Sequence, residues 1–169
     1  MRYFAFLRGI NVTGRNMIRM ADLKELCTSS LGFADVQTLL QSGNVVFSAK
    51  RKPSEAAIAE AIRASFGLSI KVMVRNEPEL RAVVENNPFT PIRNPGHLLV
   101  VFLDREAAPG AVWPGPEKIH VAGREVYVDY VNGVGQSKLN LERLLGRAGT
   151  GRNWNTVTKL LALSTTPSS

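Results

Sequence analysis

Cysteine, histidine and aromatic residues are scarce in this sequence of 169 residues. Cys27 is the only cysteine and there are two histidines, so we expect no intrachain disulfide and no metal site. No uninterrupted apolar run approaches the ~18 residues that a membrane-spanning helix needs. The apolar run that follows Arg2 is also too short for the core of a secretory signal. The sequence therefore predicts a cytoplasmic protein with no membrane partner.

Basic residues outnumber acidic ones. The 21 lysines and arginines against 14 aspartates and glutamates give a formal net charge of +7, which attracts phosphate polyanions without specificity. The excess is spread over both halves of the chain, and Lys50-Arg51-Lys52 forms the only basic run. This distribution favours an ordinary basic surface over a dedicated nucleic-acid stripe, although nucleic acid stays an alternative partner.

Apolar periodicity in the first half predicts the element order βαββαβ, the ferredoxin-like arrangement. The predicted strands cover residues 3–7, 36–40, 45–47 and 72–74, and the predicted helices run over 20–31 and 53–66. A further helix starts at Asn76, with Glu79 at its third position as in a capping box. Both faces of the first strand are apolar, so the sheet face without helices must also be covered.

The second half repeats much of this order. The pattern predicts a buried strand over 98–103, a hairpin around Ala122-Gly123, a helix that Ser137 caps and Gly146 ends, and a last helix over 153–163. We therefore predict an α+β fold of two packed ferredoxin-like (βαββαβ-type) subdomains, with mainly antiparallel sheets and an extra C-terminal helix. The expected divisions are an N-terminal subdomain with its connecting helix (1–87), a Pro/Gly-rich linker (88–96), a C-terminal subdomain with the final helix (97–163) and a disordered tail (164–169).

Polar residues cluster after the first and second strands. These two strands are expected to be parallel, so the loop after one and the turn after the other leave the sheet at the same end. Glycines in the loop permit unusual backbone angles and expose N–H groups, and side-chain donors surround them. An anion site here would use Arg8, Asn11, Arg15, Asn16, Gln41, Ser42 and Asn44. The alternative is a tight turn and a hairpin whose polar side chains tie the two loops together.

A second polar cluster lies at the start of the last helix. Arg152 and Asn155 are candidate donors to a phosphate or carboxylate there, although helix capping explains part of the same pattern. They would join the first cluster only if the second half folds over that end of the sheet.

Signals for catalysis are weak. His97 and His120 have no acid or nucleophile at motif spacing, and Cys27 falls on the apolar face of the first helix, where an inert core thiol is expected. The catalytic residues are unknown and no cofactor is implied.

The leading hypothesis is a binding module for an anionic, phosphate-containing or nucleotide-like small molecule. The alternatives are non-specific nucleic-acid binding, a transferase or hydrolase, and a structural or partner-binding protein.

Four motifs in this order carry a family resemblance: Leu7-Arg8-Gly9-Ile10-Asn11-Val12, Gln41-Ser42-Gly43-Asn44-Val45-Val46-Phe47, Asn87-Pro88-Phe89 and Arg152-Asn153-Trp154-Asn155-Thr156-Val157. Together they resemble the domain of unknown function 1697 family of uncharacterised bacterial proteins. Leu39 and Gly151 depart from its pattern, which has an aromatic residue and an alanine there. The resemblance implies a small cytoplasmic α+β protein of ferredoxin-like subdomains. It implies no established activity, cofactor or partner, so no catalytic residue is carried over.

Overall fold

The computed structural model describes residues 1–165, and the chain divides into two compact units. The first consists of Met1–Leu80 together with the end of the chain from Leu160, and the second of Arg81–Lys159. The predicted disordered tail, 164–169, lies outside the described residues except for Ser164 and Thr165. Within the described part, every helix is too short or too polar to cross a membrane.

The first unit follows the predicted βαββαβ order. Its elements are β1 (Arg2–Leu7), α1 (Met20–Glu25), β2 (Ala34–Leu39), β3 (Asn44–Ser48), α2 (Glu55–Phe66) and β4 (Val72–Asn76), after which α3 (Glu77–Glu85) continues the chain. The strands form a four-stranded sheet in the order β2-β3-β1-β4, and each neighbouring pair is antiparallel. Strands β1 and β2 are therefore parallel, and the loops that follow them leave the sheet at the same end.

The sheet of the first unit is apolar on both faces. Tyr3, Ala5 and Leu7 alternate along β1 and pack into a core with residues of the helices, such as Ile58 and Ile62. Phe4 and Phe6 lie between them and point to the opposite face, where they are buried as well. Both are 0% exposed, as is Val46 of β3, which pairs with Phe4. Burial on both faces explains why β1 reads as a continuous apolar run in the sequence.

The helix boundaries follow local capping chemistry. Ser54 caps α2 by accepting a hydrogen bond from the backbone N–H of Ala57, and Gly67 ends it in a left-handed conformation. Asn76 and Glu79 form the predicted capping box of α3, with hydrogen bonds of 2.9 and 2.8 Å in the two directions. The predicted first helix is shorter than expected, because α1 gives way to a π-helical turn over Leu26–Ser30.

The second unit has the same strand order. Its elements are β5 (Leu98–Leu103), β6 (Lys118–Ala122), β7 (Glu125–Asp129), α4 (Leu141–Leu145) and β8 (Gly149–Asn153). The last helix, α5 (Trp154–Ser164), begins in this unit, and its residues from Leu160 are counted with the first. The sheet order β6-β7-β5-β8 corresponds strand by strand to the order in the first unit. The α+β class with mainly antiparallel sheets and a last helix is thus confirmed. The crossover between β5 and β6 contains no helix, so this sheet lacks a counterpart of α1.

Two predictions for the second unit were wrong. Asn140, not Ser137, caps α4, and its side chain accepts a hydrogen bond from the backbone N–H of Arg143. The Ser137 hydroxyl instead donates to the carboxylate of Glu117. Strand β8 was missed, because Gly149-Thr150-Gly151 has neither apolar alternation nor β-branched enrichment beyond a single threonine.

Candidate functional site

The loop between β1 and α1 has an unusual backbone. Five of its residues have positive φ: Gly9, Asn11, Thr13, Gly14 and Asn16. Asparagine tolerates the left-handed region better than most residues, but a β-branched threonine there, with φ 48° at Thr13, is strained. Such a conformation persists only when surrounding contacts hold it in place.

Asn11 supplies the largest share of those contacts. Its Nδ2 donates to the carbonyl oxygen of Ile18 at 3.0 Å and to that of Gln41 at 2.7 Å. Its Oδ1 accepts from the backbone N–H of Ile18 at 2.8 Å, and its own N–H donates to the carbonyl of Asn16. One side chain therefore joins both ends of the loop to the turn after β2. This is the arrangement expected if the polar side chains connect the loop and the turn to each other.

Asn16 and Arg15 complete the tip of the loop. The Asn16 side chain donates to the carbonyl of Gly9 at 3.0 Å, and the backbone N–H of Arg15 donates to the carbonyl of Val12 at 2.9 Å. The guanidinium of Arg15 is exposed. Among residues 1–165 it makes no side-chain hydrogen bond, so its donors point to solvent.

The turn after β2 is stabilised by the buried side chain of Asn44. Asn44 is fully buried, and its Nδ2 donates to the carbonyl of Leu39 at 2.8 Å and to the hydroxyl of Ser42 at 3.1 Å. Gly43, with φ 89°, accepts a hydrogen bond from the N–H of Leu7. A Cβ on Gly43 would lie 2.6 Å from Cδ1 of Ile10, so any larger residue there would require the Ile10 side chain to move.

The candidates in the first unit thus fall into two groups. Asn11, Asn16 and Asn44 use their side-chain amides on the loop and the turn. Gln41 and Ser42 are exposed, Arg8 is half-buried with its backbone N–H bonded to the carbonyl of Lys71, and Arg15 is exposed. Amides, hydroxyls and guanidiniums can bind an anion, but none of them is a general base near neutral pH.

Arg152 and Asn155 belong to the second unit and differ from each other in burial. Arg152 is 6% exposed, and its Nη1 donates to Oγ1 of Thr150 at 2.6 Å and to the carbonyl of Gly151 at 2.9 Å. Burial lowers the pKa of Arg152 to about 10. Asn155 is exposed on the first turn of α5, while Asn153 caps that helix through the backbone N–H of Thr156.

Arg75 is a buried cation that the sequence analysis did not single out. It is 0% exposed, its Nη1 donates to the carbonyl of Val74, and the carboxylate of Glu55 lies 3.9 Å away. Arg75 pairs with Phe4 in the first sheet as Arg152 pairs with Val100 in the second. An Arg-Asn dipeptide before a helix therefore recurs in both units, a sequence signal that could have identified Arg75.

Groups for metal or thiol chemistry are absent from the described part of the chain. Residues 1–165 contain no cluster of three or more histidine, cysteine, aspartate or glutamate side chains that could hold a metal ion. Cys27 is buried, as predicted, and burial raises the pKa of its thiol to about 12. The thiol is therefore protonated at neutral pH and unreactive.

Comparison with known proteins gives a family and a fold. The family described as protein of unknown function (DUF1697) matches residues 1–127. The structure of the conserved bacterial protein SP0830 from Streptococcus pneumoniae is similar, with a TM-score of 0.66 at 21% sequence identity, over 96% of this chain and 98% of that one. At this identity the likeness concerns the fold alone. Among curated proteins the chain has no significant match.

Proposed function

We propose that this chain, which belongs to the DUF1697 family of proteins of unknown function, binds an anionic ligand that contains phosphate or resembles a nucleotide. The site is the end of the first sheet, where the loop over residues 8–19 meets the turn over 40–43. The observation that carries the proposal is the exposed guanidinium of Arg15 on a loop that the side chains of Asn11 and Asn16 hold in one conformation.

The backbone of the loop adds further donors. Thr13 and Gly14 have successive positive φ angles of 48° and 75°, and within the described residues their N–H groups make no hydrogen bond. Successive N–H groups in a turn that includes left-handed residues form concavities that favour anions. Since the loop is already ordered by its own asparagines, binding would cost little conformational entropy.

The proposal divides the predicted residues by role. Arg15, Gln41 and Ser42 would contact the ligand, and Arg8 would add positive charge from its half-buried position. Asn11, Asn16 and Asn44 would position the loop and the turn through the bonds they already make. Arg152 and Asn155 remain candidates within the second unit.

Isothermal titration calorimetry with inorganic phosphate and with ATP tests the proposal. We expect binding by the unmodified chain and a loss of about tenfold or more in affinity for Arg15→Ala, because charge-assisted hydrogen bonds are the strong ones. Arg51→Ala is the matched control: it removes the same charge from another exposed position and should leave the affinity unchanged.

Two results would contradict the proposal. The first is the absence of binding heat with either anion at low ionic strength. The second is an equal loss of affinity in Arg15→Ala and Arg51→Ala, which would indicate attraction by net charge alone.

Exposed apolar residues beside the same loop favour partner binding as a second candidate. Val12, Met17 and Leu40 are 53, 63 and 56% exposed, and all three belong to the loop or the turn of the proposed site. An acidic peptide with apolar residues would complement them and Arg15. Fluorescence anisotropy with such peptides distinguishes the two candidates: Met17→Ser would weaken peptide binding and leave phosphate binding unchanged.

A further inference from the structure

The second sheet is less covered on its core face than the first. In the first unit, α1, the π-helical turn and α2 contribute Leu23, Leu26, Ile58 and Ile62 to the core against the sheet. In the second unit the crossover over 104–117 contains no helix, and α4 has five residues. Leu99 on this face, and Leu139 and Leu141, which pack against the same core, are only partly buried.

A cleft of about 290 Å³ lies over this face. Leu99, Val101 and Leu103, alternate residues of β5, form one apolar side, and Leu139 and Leu141 form another. The adjacent strand β8 contributes Gly149 and Gly151, which carry no side chain. The volume of the cleft is just below the ~300–1,000 Å³ range of small-molecule sites, so it suits a ligand smaller than most that fill such sites.

One cation lines the cleft in a fixed position. Nε of Arg147 donates to the carbonyl of Glu106 at 2.9 Å, and its Nη1 donates to the carbonyl of Gly146 at 3.0 Å. These bonds anchor the guanidinium, while within the described residues Nη2 makes no hydrogen bond. An anchored guanidinium with a remaining donor is a good partner for a carboxylate.

Two acceptors that line the cleft, as Tyr130 also does, already have backbone partners. Oε1 of Glu142 accepts from the N–H of Gly149 at 3.4 Å, and Oδ1 of Asn140 accepts from the N–H of Arg143 at 3.0 Å. Both acceptors therefore serve local structure, and the unused hydrogen-bonding capacity of the guanidinium favours an anion over a cation.

We infer that this cleft binds a medium-chain monocarboxylate. Its hydrocarbon chain would lie against Leu99, Val101 and Leu139, and its carboxylate would accept a hydrogen bond from Arg147. This site lies in the second unit and uses none of the residues of the proposed phosphate site, so either proposal can fail without the other.

Nuclear magnetic resonance titration of the full ¹⁵N-labelled chain with octanoate tests the inference. We expect the amide signals of Gly149, Gly151 and Leu141 to shift. Arg147→Gln should weaken binding about tenfold, in proportion to one charge-assisted interaction. Arg143→Gln is the matched control, because Arg143 belongs to α4 but does not line the cleft, and its affinity should equal that of the unmodified chain.

Leu139→Asp provides a second variant that is independent of Arg147. It replaces part of the apolar wall with a negative charge, so octanoate binding should disappear, and it decides the question if Arg147→Gln fails to fold. The inference is overturned if millimolar octanoate shifts none of the three signals. Equal binding of octanol or octylamine, or an unchanged affinity in folded Arg147→Gln, would also overturn it.

Discussion

The side-chain amide of Asn11 donates a hydrogen bond of 2.7 Å to the carbonyl oxygen of Gln41, thirty positions later in the chain. The same side chain also bonds to both backbone groups of Ile18. The loop after β1 therefore keeps its shape largely through asparagine side chains, of which Asn11 makes the most bonds and Asn16 adds one to Gly9. This dependence makes Asn11 the most informative position for testing how the loop is held.

Replacing Asn11 by alanine should lower the free energy of unfolding by roughly 1–3 kcal/mol. The reason is that the partly buried N–H and carbonyl of Ile18 lose their partners, and an unmade bond at such a group costs about this much. The exposed carbonyl of Gln41 can bond to water instead and adds less. Alanine also tolerates the left-handed φ of 53° at this position less well than asparagine. Urea unfolding followed by circular dichroism measures the change.

Asn155→Ala is the control for this prediction. Asn155 is exposed, and its side chain makes no hydrogen bond with another described residue, so its removal should change stability by no more than about 0.5 kcal/mol. If Asn11→Ala were as mild as Asn155→Ala, the bonds of Asn11 would contribute nothing net, and the account of the loop would be wrong.

Gly43 and Gly14 form a second matched pair. Both have positive φ, 89° and 75°, so alanine is disfavoured by about 1–2 kcal/mol at either position through backbone strain alone. At Gly43 a Cβ would also lie 2.6 Å from Cδ1 of Ile10, whereas Gly14 has open space around it. Gly43→Ala should therefore be the more destabilising of the two by about 1–3 kcal/mol, measured by thermal unfolding.

The comparison within this pair separates strain from steric clash. Similar losses of stability in the two variants would mean that Ile10 moves aside at no cost. A double variant, Gly43→Ala with Ile10→Val, removes Cδ1 and should recover part of the additional loss, although Ile10 is buried and its truncation has a cost of its own.

The sequence predicted those parts of the fold in which each strand or helix carries its own signal. Strands β1 and β5 are continuous apolar runs, and the capping box of Asn76 and Glu79 predicts the start of α3. Strand β8 has no such signal. A Cβ on Gly149 would lie 2.8 Å from Cγ1 of Val101. The glycine is therefore favoured by packing against β5, which is distant in the sequence.

The sequence predicted which residues meet at the candidate site, but not which of their side chains are bonded within the protein and which are exposed. Parallel strands β1 and β2 were expected to bring the loop after β1 next to the turn after β2, and the bond from Asn11 to Gln41 confirms that contact. Sequence alone could not separate Asn44, which is buried and bonded to the backbone, from Arg15, which is exposed. That distinction depends on solvent exposure and on distances that only the folded chain defines.

Glu117 is a buried carboxylate that ties the long crossover of the second unit to a later loop. Its two oxygens accept hydrogen bonds of 2.6 Å from Nε1 of Trp113 and from the hydroxyl of Ser137. These bonds hold the pKa of Glu117 below its ordinary value of 4.5, and the bond from Ser137 contributes more than the bond from Trp113. The crossover contains no helix, and the bond from Ser137 connects it to the loop before α4.

Glu117→Gln should therefore lower the free energy of unfolding at neutral pH and change how this free energy depends on pH. A depressed carboxylate pKa in the folded state contributes stability above the unfolded value, near 4.5, and this contribution is lost as the pH falls through the folded value. The difference in unfolding free energy between the original chain and Glu117→Gln should thus be constant above that pH and shrink below it. Urea unfolding across this range, followed by circular dichroism, measures the difference. A difference that stays constant into the acid range would show that the charge of Glu117 is not what holds the crossover in place.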